Sequence, residues 1–102
     1  MGVKLAMIKP LDKEYFYQFR GIISAENQAE FKQLIINCQG SRHIRLDFAH
    51  VIRINSMGVA LFLKCLKELK QEGKVIHISG ANKMTGMLFK MMGIGNWATI
   101  HG

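Results

Sequence analysis

Arg53-Ile54-Asn55-Ser56-Met57-Gly58-Val59 is the stretch of this 102-residue chain whose residue types and spacing could do chemistry. It follows an apolar strand pattern, Ile44 to Phe48, and opens a long helical pattern. A hydroxyl, a small amide and a glycine thus fall where a loop turns into a helix, at the positive end of a helix dipole. Ser56 can cap that helix, and Asn55 is an equally good cap. Ser56 can also be a docking or phosphorylation point, because added negative charge is favoured at a helix N-terminus.

Other chemistries find no support. The two cysteines, Cys38 and Cys65, each fall in a helical apolar pattern and read as reduced, partly buried thiols. The four histidines, His43, His50, His77 and His101, are scattered, and no Cys/His cluster has metal spacing. Ser79-Gly80-Ala81-Asn82 lacks the rest of a dinucleotide fingerprint or a phosphate-loop lysine, and reads as a strand-to-helix turn. Asp47 has no acidic neighbour and reads as an anchor that hydrogen-bonds a nearby loop. Ser56 lacks the Gly-x-Ser-x-Gly elbow of a hydrolase nucleophile. The expectation is a protein with no catalytic residue, no metal and no cofactor.

The elements that must position Ser56 follow from periodicity. Val3 to Ile8 alternates loosely, and Tyr15 to Phe19 is an aromatic-rich strand. The two read as a hairpin that Gly21 ends. Ser24 is a good N-cap for a helix carrying Ala29, Phe31, Leu34, Ile35 and Cys38 at helical spacing, ended by Gly40. Ile44 to Phe48 is the third strand. The helix opened by Ser56 carries Val59, Phe62, Leu63, Leu66 and Leu69 on one face and closes at Gly73. Val75 to Ile78 is a fourth strand, dense in β-branched residues as a buried central strand should be. Met84, Met87, Leu88, Met91 and Met92 make the apolar stripe of a last helix, and Ala98 to His101 adds a short strand. Methionines at that spacing read as core filler, with a secondary reading as an adaptable interface. The order β-β-α-β-α-β-α-β implies a single α/β domain over residues 1–102, a mixed sheet with helices packed against it, and parallel later β-α-β units with right-handed crossovers.

Hydrophobic residues make up 49% of the chain and proline occurs once, which suits a packed core and argues against disorder. No apolar run reaches the length of a membrane span, and the N-terminus lacks a signal-peptide pattern. Ala6 stands where a myristoylation signal wants Ser or Thr. The expectation is a cytoplasmic protein with no membrane insertion. The net charge of +7 suggests an acidic partner, nucleic acid or a membrane surface, with solvated faces accounting for most of the lysines. The lysines are spread out and not interleaved with aromatics, so no nucleic acid is expected. On the helix after Ser56, Met57, Leu61, Lys64 and Glu68 share the side opposite the apolar stripe. With Asn55, Ser56 and Gly58 they form the expected partner-binding surface. The sequence does not set an oligomeric state.

These residues carry a family resemblance over almost the whole chain. The chain resembles the STAS domain, the small domain of anti-sigma factor antagonists and of the ends of sulfate transporters. Gly21 matches the family's glycine after the second strand. Ile44-Arg45-Leu46-Asp47-Phe48 matches its apolar-x-Leu-Asp-Leu strand. Asn55-Ser56-Met57-Gly58-Val59 matches its Asp-Ser-Ser-Gly-Leu loop, and Asn82 to Gly93 resembles its late helix. Asn55 stands where the family has Asp, and Met57 where it has a second Ser. The resemblance implies a switch: a partner serine kinase of the anti-sigma type phosphorylates Ser56, a PP2C-type phosphatase reverses this, and the unphosphorylated form binds its partner. The chain is also similar to the biofilm-regulator members of the group. The alternative that the resemblance leaves open is an accessory subunit docked on the ATPase of a transport or lipid-trafficking complex.

Overall fold

The computed structural model describes residues 13–102. The expected strand Val3–Ile8, and with it the hairpin and the mixed character of the sheet, lies outside the described residues. Within them four strands alternate with three helices. Strand β1 is Glu14–Ile23, helix α1 Gln28–Asn37, strand β2 His43–Ile54, helix α2 Ser56–Gln71, strand β3 Val75–Ser79, helix α3 Lys83–Met91 and strand β4 Thr99–Ile100. The sheet order is β1-β2-β3-β4, and every neighbouring pair is parallel. Sequential order with right-handed crossovers puts all three helices on one face of the sheet.

The strands show which face that is. Phe19 and Ile23 of β1, Ile44, Leu46 and Phe48 of β2, and Ile76 and Ile78 of β3 are buried. Their alternate neighbours Glu14, Phe16, His43, Arg45 and His77 are exposed or half-buried. At the centre of the core five phenylalanines meet, one from each of β1, α1, β2, α2 and α3. Phe19, Phe31, Phe48, Phe62 and Phe89 have ring centroids 4.9 to 6.1 Å apart. Each ring removes a large apolar area from water, and offset or edge contacts add to that.

Three boundaries differ from the sequence expectation. Gly21 does not end its strand: β1 runs on to Ile23, with register shifts against β2 between Gln18 and Arg20 and between Gly21 and Ile22. Strand β2 outruns Phe48 and continues to Ile54, because Val51-Ile52-Arg53-Ile54 carries β-branched residues and buries Val51 and Ile54. Ser24 does cap, but it caps a short 3-10 turn, Ala25–Asn27, with Asn27 returning the bond to the Ser24 N–H at 2.8 Å; α1 begins only after it.

The last helix is rotated about its axis relative to the expectation. Thr85 and Phe89 are its buried residues, whereas Met84, Met87 and Met91 are exposed. Phe89 wins the interior position because its ring fits the phenylalanine cluster, 5.1 Å from Phe48 and 5.5 Å from Phe62. Met84, Met87 and Met91 are therefore surface residues and not core filler, whereas Leu88 and Met92 of the expected stripe are half-buried and pack against the core. On α2, Val59, Phe62, Leu66 and Leu69 are buried as expected. Gly58 and Cys65 join them, and Leu63 is only half-buried.

Candidate functional site

The end of β2 feeds directly into α2, and the joint is fixed from three directions. The Asn55 N–H donates to the Ile23 carbonyl of β1 at 3.2 Å. The Asn55 backbone is extended, with φ −91° and ψ 174°, and its side-chain oxygen accepts from the Gly58 N–H at 2.8 Å. Its own carbonyl accepts the first helical bond, from the Val59 N–H at 3.0 Å. Asn55 is thus the N-cap, a role that needs an acceptor oxygen and that Asn fills as Asp would.

Gly58 lets this joint close. A Cβ there would lie 2.7 Å from the Ile23 carbonyl oxygen and 3.0 Å from the Ile54 side chain. Only a residue without one allows the first turn of α2 to sit against the ends of β1 and β2.

With the cap supplied by Asn55, Ser56 is the first helical residue. It is exposed, as are Asn55 and Met57 beside it. Its hydroxyl is not required for the cap, and it stands where backbone N–H groups lack intrahelical partners. Arg53, also exposed, lies three residues before it. No carboxylate occurs between Asp47 and Glu68 in the sequence. Helix dipole and side chains together make the environment of Ser56 receptive to negative charge.

The other expected contact residues lie along α2. Lys64 and Glu68 are exposed, and Leu61 is half-buried and packed against the core. These three line a shallow groove shared with Gln28, Lys32 and Ile35 of α1. The structure therefore brings Leu61, Lys64 and Glu68 together against α1, whereas Asn55, Ser56 and Met57 form the exposed tip of the helix.

Asp47 is an anchor, but its partners lie in strands β1 and β2 and not in a loop. Its carboxylate accepts from the Ala49 N–H at 3.0 Å and from Gln18 Nε2 at 2.6 Å. The Gln18 bond, helped by Ala49, holds the carboxyl below its ordinary range. Gly80, at φ +77°, passes so close that a Cβ would fall 2.6 Å from Asp47 Oδ1. Ser79 to Asn82 is the expected strand-to-helix turn, with the Asn82 side chain capping α3 through the Thr85 N–H at 2.8 Å. Both cysteines are buried and free. Burial pushes the Cys65 thiol up to about 12 and raises Cys38 as well, so neither is a poised nucleophile. Among the described residues no group of three or more His, Cys, Asp or Glu side chains could hold a metal ion, and no helix is long and apolar enough to cross a membrane.

Sequence reasoning missed Ile52 and Arg53 as strand residues, and missed the exposure of Met84, Met87 and Met91. The β-branched residues Val51, Ile52 and Ile54 were the available signal for the first. Nothing local signals the second, since Met and Phe are both apolar.

Comparison with known proteins places this geometry. The STAS domain family model matches residues 6–101. The anti-sigma-B factor antagonist of Staphylococcus epidermidis is 25% identical over 91 residues, covering 85% of this chain and 84% of that protein. The anti-sigma factor antagonist SpoIIAA in its unphosphorylated form superimposes with a TM-score of 0.69 at 16% identity, over 88% of this chain and 81% of that one. The Bacillus cell fate determinant SpoIIAA in the phosphorylated form gives 0.61 at 18% identity, over 87% and 83%. At those identities the structural likeness speaks for the fold.

Proposed function

The chain belongs to the STAS family, and on that premise we propose that it is a non-enzymatic, protein-binding regulator of the anti-sigma factor antagonist type, switched by phosphorylation of Ser56. The observation that carries the reading is the division of labour at the start of α2. Asn55 caps the helix, and Ser56 is left exposed at its first turn. A phosphate there adds roughly −1.5 to −2 charges at neutral pH, next to unpaired backbone N–H groups and Arg53. The fold tolerates that charge, so its effect falls on binding. The partner is a serine kinase of the anti-sigma type with an acidic contact surface, which a phosphate repels and which the net charge of +7 otherwise attracts. A PP2C-type phosphatase resets the switch. The contact includes Asn55, Ser56 and Met57 and extends along Leu61, Lys64 and Glu68, whereas Gly58, expected in it from the sequence, is buried against Ile23 and Ile54 and only supports it. The site of action is the cytoplasm.

The test is intact-mass and peptide analysis of the protein isolated from its native cell, paired with pull-downs of Ser56→Ala and Ser56→Asp. A phosphate on Ser56, retained binding by Ser56→Ala and lost binding by Ser56→Asp are the expected results. Identical behaviour of both variants and the wild type, with no phosphate found, sinks the proposal. Recovery of unmodified protein with a transport ATPase would favour the accessory-subunit reading instead.

A further inference from the structure

The exposed side of α3 helps form a surface that shares only Arg53 with the Ser56 switch. β3 pairs with β2 only from His43 to Asp47; beyond that, among the described residues, β2 pairs with β1 alone. In place of β3, the N-terminus of α3 lies beside the end of β2. The Asn82 side chain donates there to the Val51 and Ile52 carbonyls, at 3.4 and 3.2 Å. Between them opens a groove of about 590 Å³, lined among others by Ile52, Arg53, Lys83, Met84, Met87 and Met91. The apolar residues stand well out of the protein: Ile52 is 70% exposed, Met84 77%, Met87 55% and Met91 79%. Singly such residues mean little, but four converging on one trough form a contact surface. Thr85 also lines the groove. It is 2% exposed, and its hydroxyl has no hydrogen-bond partner among the described residues. A buried hydroxyl left so is costly unless something supplies a partner.

Charge selects the occupant. The groove carries Arg53 and Lys83 and no carboxylate. No acidic side chain occurs from Phe48 to Lys67, or anywhere after Glu72. A second copy of this chain would bring another +7 against these cations. Residues 1–12 hold two lysines against one aspartate, so they do not complement the groove either. A lipid surface would meet projecting side chains and not a trough with a hydroxyl in its lining.

We propose that the groove between the end of β2 and α3 is a docking site for an acidic segment of a partner protein. Two or three long apolar side chains of that segment lie among Ile52, Met84, Met87 and Met91. Its carboxylates face Arg53 and Lys83, and a polar group meets the Thr85 hydroxyl. The flexible thioethers suit this role, since unbranched methionines repack around differently shaped apolar partners. Apart from Arg53, this surface is independent of the Ser56 reading.

The test is selection of short random phage-displayed peptides on the full-length protein, followed by binding of the synthetic winners. Winners should combine Asp or Glu with at least two large apolar residues, and should weaken with added salt. Met87→Glu and Lys83→Glu should each cost about tenfold or more in affinity, while Ile36→Glu, at an exposed residue of α1 outside both surfaces, binds like wild type. Circular dichroism checks that every variant is folded. With methyl-labelled methionine, the signals of Met84, Met87 and Met91 should move on binding and that of Met57 should not. The proposal is overturned if no peptide is enriched, if winners are indifferent to Met87→Glu, or if Ile36→Glu weakens them equally. It also fails if phosphatidylglycerol vesicles move the same methyl signals when peptides do not. Removal of residues 1–12 moving those signals, or a dimer that Met87→Glu abolishes, would hand the groove to this chain itself.

Discussion

At Asn55, Ser56 and Gly58, three neighbouring residues have separable physical roles. Asn55 holds an orphan N–H of α2 through a 2.8 Å bond. Asn55→Ala should cost about 1 kcal/mol of stability, as loss of an N-cap does. Ser56→Ala removes a hydroxyl that the cap does not need, and should stay within about 0.5 kcal/mol of wild type. Urea denaturation of both variants checks the contrast; an equal loss at Ser56 would mean that the two residues share the cap. At Gly58 two effects oppose each other. Alanine in a helix is favoured over glycine by up to about 1 kcal/mol. The new Cβ, however, would press 2.7 Å from a backbone oxygen of β1, which cannot rotate away. Overpacking of about 1 to 3 kcal/mol should win. Gly58→Ala should therefore lower the denaturation midpoint, and a stabilised variant would show that the joint can open.

At the scale of elements, the turn that returns α1 to the sheet depends on a residue far away in sequence. Lys74, just before β3, is nearly buried. Its Nζ donates to the Gln39 carbonyl at 3.0 Å and to the Ser41 carbonyl at 2.6 Å. Arg42, which follows this turn, also pairs its carbonyl with the Val75 N–H at 2.8 Å. Lys74→Met keeps the length of the stem but leaves both carbonyls without that donor. It should cost about 1 to 3 kcal/mol, read by chemical denaturation. An unchanged stability would mean that water replaces the ammonium without loss. A second link of this kind joins β1 to α1, where the Tyr17 hydroxyl donates to Glu30. Burial, and then that carboxylate, push the Tyr17 hydroxyl up to about 12.

The molecule as a whole has one face of its sheet under helices, and on the other a row of imidazoles. His43 and His77 are stacked with centroids 6.1 Å apart, His77 and His101 with centroids 5.3 Å apart, and His77 Nδ1 lies 3.1 Å from His101 Nε2. Desolvation first, then His101, Arg45 and His43, hold His77 below its ordinary value, with Glu14 opposing. The folded state therefore prefers neutral His77, whereas the unfolded chain takes up a proton as the pH falls through about 6.5. Stability should thus decline as the pH drops from 7.5 towards 5.5, above the range where Asp47 titrates. Melting temperatures across that range should flatten in His77→Gln. If the slope is unchanged, the row of histidines is not its cause.

Whatever depends on neighbours within a few residues could be read from the chain itself. The helix beginning at Ser56, the turn from Ser79 to Asn82 and the α/β order all follow from caps, periodicity and turn chemistry, which act over one or two helical turns. The tertiary structure decided matters in which two local solutions were nearly equal. Met84-Met87-Met91 and Thr85-Phe89 are alternative stripes on one helix, and hydrophobicity alone does not rank them. The space beside Phe48 and Phe62 does, because it takes a flat ring. Likewise Gly58 looks from the sequence like a flexible loop residue. It is a contact point between α2 and β1 only because Ile23 arrives there from more than thirty residues earlier.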